Sequence, residues 1–310
     1  MAAVRTGTLL VFLALLAGCA GAPQTTRLEA QPPAHLPVRV ELDGTPFFPQ
    51  EAYQCGPAAL ATVLVHTGVG ITPAALTPQV FIPEREGSLQ LELIAAARRQ
   101  GRVPYVLAPR LQDVLAEVHA GHPVLVLQNL ALGWFPRWHY AVVVGFDLDA
   151  GQLVLRSGKE RRRVVPLSLF ERTWARGGHW AMVVTAPGQL PETAQELPLL
   201  RSVAAFEALG DVAAARRGYE AAVQRWPESV AGWMALGNAG YAQGDQLRAE
   251  SAWRRALALA PDYAPALNNL AQLLFEQGHR EEALSLAQRA VVADGANPVY
   301  RETLRGIGPP

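Results

Sequence analysis

The chain is 310 residues long, half of them hydrophobic, with 27 lysines and arginines balancing 27 aspartates and glutamates. This length suits about two domains, each able to bury a core. A net charge of zero leaves no case for a nucleic-acid-binding surface or a polybasic membrane patch, so charge names no partner.

The first stretch, MAAVRTGTLLVFLALLAGCAG, has one positive charge at Arg5, an apolar run from Leu9 to Leu16 and small residues before Cys19. That is the layout of a secretory signal, and the apolar run is too short to span a bilayer. Leu16, Ala17, Gly18 and Cys19 resemble the bacterial lipobox, which implies removal of residues 1–18 and acylation of Cys19; cleavage near Ala20 to Ala22 would instead release a soluble secreted protein. Several acyl chains give the stable anchoring that one does not. The uncharged Ala20 resembles an outer-membrane signal, so the expected place is the cell envelope, exported and lipid-anchored, with the chain facing the periplasm. Acylation of Cys19 would leave Cys55, the second of two cysteines, without a partner. An unpaired cysteine in an oxidising compartment has to be buried or used. Residues 20–37 are rich in Pro, Thr, Gln and Ala without an apolar period, and a flexible tether following the lipidated cysteine is expected over residues 19–43.

Residues 44–187 mix helix and strand patterns. In EAYQCGPAALATVLVHTG, Pro57 suits a first helical turn, and Leu60, Val63, Leu64 and Thr67 follow one helical face up to Gly68. Cys55 is thereby placed at a helix N-terminus, where free amides and the macrodipole favour a thiolate. A helical stretch, SLQLELIAAARRQG, and two strands, VPYVL and PVLVLQ, follow. In LGWFPRWHYAVVVGFDLDAGQLVLRSG, Tyr140 to Phe146 reads as a buried strand, DLDAGQ as a tight turn and Leu153 to Leu155 as its returning partner. His139 stands where the first of these strands begins, the place for a general base beside a thiol. Trp134, Phe135 and Trp138 precede it, either to grip an extended peptide or to pack under the loop. TWARGGHWAMVV is expected to close the sheet as its last strand. Of the other histidines, His35 falls in the tether, His66 near a helix end and His119 and His122 beside a turn; only His179 rivals His139 as a base. No metal-ligand spacing, Gly-rich phosphate loop or serine elbow occurs, so no cofactor is expected.

Gln50 and CGPAAL, followed about 85 residues on by HYAVVVG, resemble the papain-like cysteine peptidases related to the domain that trims double-glycine leaders from bacteriocin precursors. The resemblance implies an α+β papain-like domain, a central helix on an antiparallel sheet. It makes Cys55 the nucleophile and His139 the base and acid. Gln50 would be the oxyanion donor, in preference to Gln54, which adjoins the nucleophile. Where that family carries an aspartate after the following strand, this sequence has Ser157, between Arg156 and Gly158. Ser157 can accept an imidazole N–H but stabilises an imidazolium less than a carboxylate does. Asp147 and Asp149 read as turn residues at the far end of the hairpin.

After an expected linker at 188–198, residues 199–310 read as helical throughout and repeat at 34 residues: Gly210, Gly244 and Gly278; Ala215, Ala249 and Ala283; Ala222, Ala256 and Ala290. With Trp233, Leu236, Gly237, Trp253 and Pro261 these spacings resemble the tetratricopeptide (TPR) repeat, implying an all-α solenoid of about three repeats with a weaker last copy. Such a solenoid implies a protein partner in its groove, although no charged ring names one. The expected function is a membrane-anchored cysteine peptidase acting on an envelope or exported polypeptide, with the repeats recruiting substrate or partner. The alternatives are a catalytically silent binding or assembly lipoprotein and a cell-wall peptide amidase or transpeptidase.

Overall fold

The computed structural model describes residues 21–49 and 54–308. Its first unit, reaching Ala186 and taking in Pro191–Ala194, runs α1 (Pro23–Ala30), β1 (Arg39–Glu41), α2 (Cys55–His66), α3 (Pro73–Val80), α4 (Gln90–Arg99), β2 (Val103–Val106), α5 (Leu111–His119), β3 (Val124–Asn129), β4 (Trp138–Asp147), β5 (Gln152–Ser157), β6 (Glu160–Pro166), α6 (Leu167–Arg176) and β7 (Ala181–Thr185). The strands form one antiparallel sheet in the order β2-β7-β3-β4-β5-β6, with β1 also paired to β4. Strands β3, β7 and the centre of β4 are buried along both faces, as their unbroken apolar runs require of interior strands. On one face lie α2, α3 and α4, whose Leu60, Leu64, Leu76 and Leu93 meet Leu125, Val142, Val144 and Met182 of the sheet. Helices α5 and α6 pack on the strands as well.

Two expectations need correction. Residues 173–184 do not form one closing strand: Thr173 and Trp174 belong to α6, Gly177 to His179 turn, and β7 sits inside the sheet between β2 and β3. The apolar Ala181–Thr185 run gains more from burial on two sides than an edge position would give it. The expected tether is likewise folded from Pro23 on. Glu171, 1% exposed, accepts the backbone N–H groups of Gln24 (2.9 Å) and Thr25 (2.6 Å), giving the first turn of α1 the acceptor its free amides need. Gln24 adds a side-chain bond from the Leu111 N–H at 2.6 Å, and Thr25 and Leu28 are buried. Residues 39–41 then pair with β4.

The second unit, Pro187–Leu190 with Gln195 onward, contains α7 (Glu196–Ala208), α8 (Val212–Arg225), α9 (Val230–Ala242), α10 (Gln246–Leu259), α11 (Ala264–Glu276), α12 (Arg280–Ala293) and α13 (Pro298–Ile307). The expected linker is thus partly helical, since α7 starts at Glu196. Gly210, Gly244 and Gly278 adopt φ of 76°, 74° and 85° just beyond α7, α9 and α11. The 34-residue spacing therefore marks left-handed helix ends that glycine alone adopts without strain. Asp211 and Asp245 then cap α8 and α10. A Cβ on Gly237 would lie 2.4 Å from the buried Trp253 ring, which is why a small residue stands there. No helix among the described residues is long and apolar enough to cross a membrane.

Candidate active site

Helix α2 begins at Cys55 and is buried continuously from Gly56 to Leu64. Its alanines let it lie close on the sheet, and the two residues after the cysteine each have a physical reason. Pro57 gives up no hydrogen bond in a first turn. Gly56 has no room for a side chain, because a Cβ would meet Ser88 Oγ at 2.3 Å. Cys55 is a free, partly buried thiol. Burial pushes it above the ordinary 9.0, although hydrogen bonds from the backbone amides of Tyr140, Gly56 and Cys55 itself pull the other way. The helix N-terminus thus acts as expected and is outweighed. The prediction of a lowered thiol has to be reversed, because desolvation of the charged form exceeds what three amides return.

The Tyr140 amide that reaches the thiol belongs to β4, one residue after His139. The imidazole Nε2 of His139 lies 2.8 Å from Ser157 Oγ on β5. Ser157 is 2% exposed, and His139 itself is partly buried at the start of β4. Burial, with the Arg163 and Arg137 charges adding to it, lowers His139 from 6.5 to about 4. Both shifts favour a thiol and a neutral imidazole over an ion pair.

Cys55 opens into a cleft of about 660 Å³ whose walls include Arg85, Ser88, Leu89, Arg137, Trp138 and Tyr140. Tyr140 ties the two sides together, its hydroxyl donating to the Ser88 carbonyl at 3.1 Å. Ser88 Oγ is buried and has no hydrogen-bond partner among the described residues. Nothing in the sequence singled out Ser88 or Arg85, since they reach the site on the loop before α4 and only folding brings that loop beside α2. Trp134, Phe135 and Trp138 are 82%, 71% and 55% exposed, so of the two readings of this loop, packing beneath it is excluded.

Other expected residues fall elsewhere. Cys19 and Gln50 lie outside the described residues, and Gln54 is an exposed N-cap without a capping bond. Asp147 accepts the Ala150 N–H in the hairpin turn and lies 3.9 Å from Arg39, at the opposite end of β4 from His139. His179 packs edge-on against Trp174, ring centres 4.8 Å apart. His66 bonds the Gly121 carbonyl, and His122 meets Glu117 at 2.8 Å. No group of three or more potential metal ligands occurs among the described residues. In the second unit Asn238, Tyr241, Asn268, Asn269 and Gln272 line a hollow of about 260 Å³ without an acidic or basic residue.

Residues 42–182 match the model of the Peptidase_C39 like family, and residues 202–253 and 247–298 match that of the tetratricopeptide repeat. Over 114 residues the chain is 39% identical to the Cellulose synthase operon protein C of Xanthomonas axonopodis pv. citri (strain 306), covering 37% of this chain and 8% of that protein's length. Among solved structures it is similar to a chain assigned as a C39-like peptidase from Bacillus anthracis (18% identity, TM-score 0.41, 47% of this chain and 97% of that one). It is also similar to the first TPR of Spaghetti (RPAP3) bound to an HSP90 peptide (21% identity, TM-score 0.35, 36% and 89%).

Proposed function

From a chain that joins a Peptidase_C39-like domain to tetratricopeptide repeats, we propose a cysteine peptidase of the cell envelope, anchored by lipid on Cys19 at the outer membrane. Its repeats would recruit the polypeptide substrate or a partner protein. The observation that carries the reading is the His139–Ser157 contact of 2.8 Å, beside a cleft whose floor holds the Cys55 thiol against the Tyr140 amide. With Ser157 accepting from Nε2–H, the imidazole lone pair falls on Nδ1, the nitrogen available to take the thiol proton. The thiol is neutral at rest, so that proton leaves as the sulfur attacks the substrate carbonyl. The tetrahedral oxyanion would take the Cys55 backbone amide, which turns from the sulfur once that is bonded to carbon, and the Gln50 side chain. The Nδ1 proton then passes to the leaving amine, and water, deprotonated by the same nitrogen, releases the acyl group. Leu89 and Trp138 beside Arg85, Glu86 and Arg137 suit a peptide that presents apolar and polar side chains to the cleft. A cell-wall peptide amidase would use the same groups on a different acceptor.

A second reading, a binding or assembly lipoprotein without catalysis, is supported by His139 Nε2 meeting a serine rather than a carboxylate among the described residues and by the likeness to a cellulose synthase operon protein. The test is the pH dependence of Cys55 alkylation in a chain starting at Gly21, where it is the only cysteine. A neutral dyad predicts slow reaction with iodoacetamide near pH 7 and a rise only above about pH 9. A fast plateau from about pH 4, abolished in His139→Ala, would instead show a resting ion pair and refute concerted loss of the thiol proton. Hydrolysis of a denatured polypeptide by the wild-type chain, lost in Cys55→Ser, separates peptidase from silent binder.

A further inference from the structure

The segment between β3 and β4 is a built hairpin tip. Leu130 N–H donates to the Arg137 carbonyl (2.9 Å) and Phe135 N–H to that of Leu132 (3.1 Å). At its base Asn129, 1% exposed, accepts the amides of Ala131 (3.0 Å) and Arg137 (2.9 Å) through Oδ1. The tip so held in shape displays Leu132, Trp134 and Phe135, 57%, 82% and 71% exposed, to solvent. Large apolar side chains on a rigid tip cost solubility and imply a surface that covers them. The substrate cleft is not that surface: Arg137 and Trp138 line it, whereas Trp134 and Phe135 do not.

The surroundings favour a bilayer. Between Leu130 and Phe146 there is no acidic residue, and Arg137, with Arg176 reaching the Asn129 carbonyl at 3.2 Å, sets positive charge at the base of the tip. This is the amphipathic order of an interfacial anchor: Trp and Phe at the depth of the acyl boundary, Arg among anionic headgroups.

We propose that the Leu130–Arg137 tip inserts Trp134 and Phe135 into the interface of an anionic lipid bilayer. It is a second attachment that fixes the Cys55 cleft at the membrane surface, where Arg137 and Trp138 belong to both. The cleft would then meet polypeptide that emerges from or lies along the bilayer. The attachment requires no Cys55 chemistry, so its test is independent of the peptidase reading.

The chain from Gly21 onward retains every described element and lacks the lipid. It should float with vesicles of phosphatidylethanolamine and phosphatidylglycerol, and Trp134→Ala/Phe135→Ala should lower its partition roughly 10- to 100-fold. Cys55→Ser should partition as the wild type. Trp134→Phe, which keeps an apolar ring, should still bind while losing part of the fluorescence quenched by brominated lipid. A wild-type chain that stays with the soluble fraction, or a double variant that floats equally well, overturns the proposal. If the double variant instead slows peptide turnover with no vesicle binding by either protein, the tip grips polypeptide and the bilayer assignment is wrong.

Discussion

At Cys55 two effects of opposite sign compete and burial wins, whereas at His139 burial and two arginine charges act in the same direction. The amides of α2 and Tyr140 draw the thiol toward ionisation, yet its low-polarity seat raises it; the imidazole is depressed to about 4 by the same cause and by two arginines. Ser157 shares a hydrogen bond with His139 Nε2 but lends no charge. Ser157→Asp puts a carboxylate on Nε2 and should raise His139, favour the thiolate–imidazolium form and speed Cys55 alkylation at pH 7 by about 10-fold or more. An unchanged rate would mean that the buried site cannot ionise the new carboxylate. The depressed imidazole also links to stability. From its unfolded value of 6.5 down to about 4, the unfolded chain binds a proton that the native site refuses, so stability falls as pH drops through that window. His139→Asn lacks this proton. Between pH 7 and pH 4.5 the wild type should lose about 2 kcal/mol more than the variant in urea unfolding, and equal losses would contradict a buried neutral ring.

Elements in this protein owe their places to partners distant in sequence. Helix α1 spans only Pro23–Ala30 and carries too little apolar period to announce itself; Glu171, about 146 residues away, receives its free amides. Glu171→Ala should free α1 at a cost of roughly 1–3 kcal/mol. Amide exchange at residues 25–30 would accelerate while that of α2 stays slow, and unaltered protection of α1 would sink the claim. Strand β6, Glu160–Pro166, has no strand signal of its own because its ERRR start reads as a solvated loop. It forms since β5 leaves an open edge, and its exposed charges suit an edge strand that must not recruit another chain. By contrast α2 and the repeat helices stand where Cys-Gly-Pro, the apolar face and the 34-residue period put them. Their stop signals, Gly68, Gly210, Gly244 and Gly278, all adopt positive φ.

For the molecule as a whole, the two units interleave along the chain and share no single boundary. Residues 187–190 go with the repeats and 191–194 return to the first unit. The return is made by Glu117, 0% exposed, which accepts the amides of Glu192 and Thr193 and the Thr193 hydroxyl, and meets His122 Nδ1 at 2.8 Å. Burial alone would raise that carboxyl; the bonds from His122 and Thr193 outweigh it and lower it. A chain of residues 21–186 would leave this carboxylate buried without three of its donors. A chain of 21–194 keeps them and should be more stable to urea by roughly 2–4 kcal/mol. Equal stability would show that water replaces the missing groups.

The order of the parts is legible along the chain: a cysteine at the head of a buried helix, a histidine at the start of a buried strand, a serine at the end of the strand that follows it, and a helical repeat of fixed period. Each can be read because local pattern, 3.6-residue or alternating burial and glycine helix ends, leaves a mark in nearby residues. Folding in three dimensions settled the rest: the ionisation of Cys55 and His139, the entry of Ser88 and Arg85 into the cleft, the folding of residues 23–41 and the exposure of Trp134 and Phe135. Desolvation and long-range hydrogen bonds depend on what lies across space, and no window along the chain contains both partners.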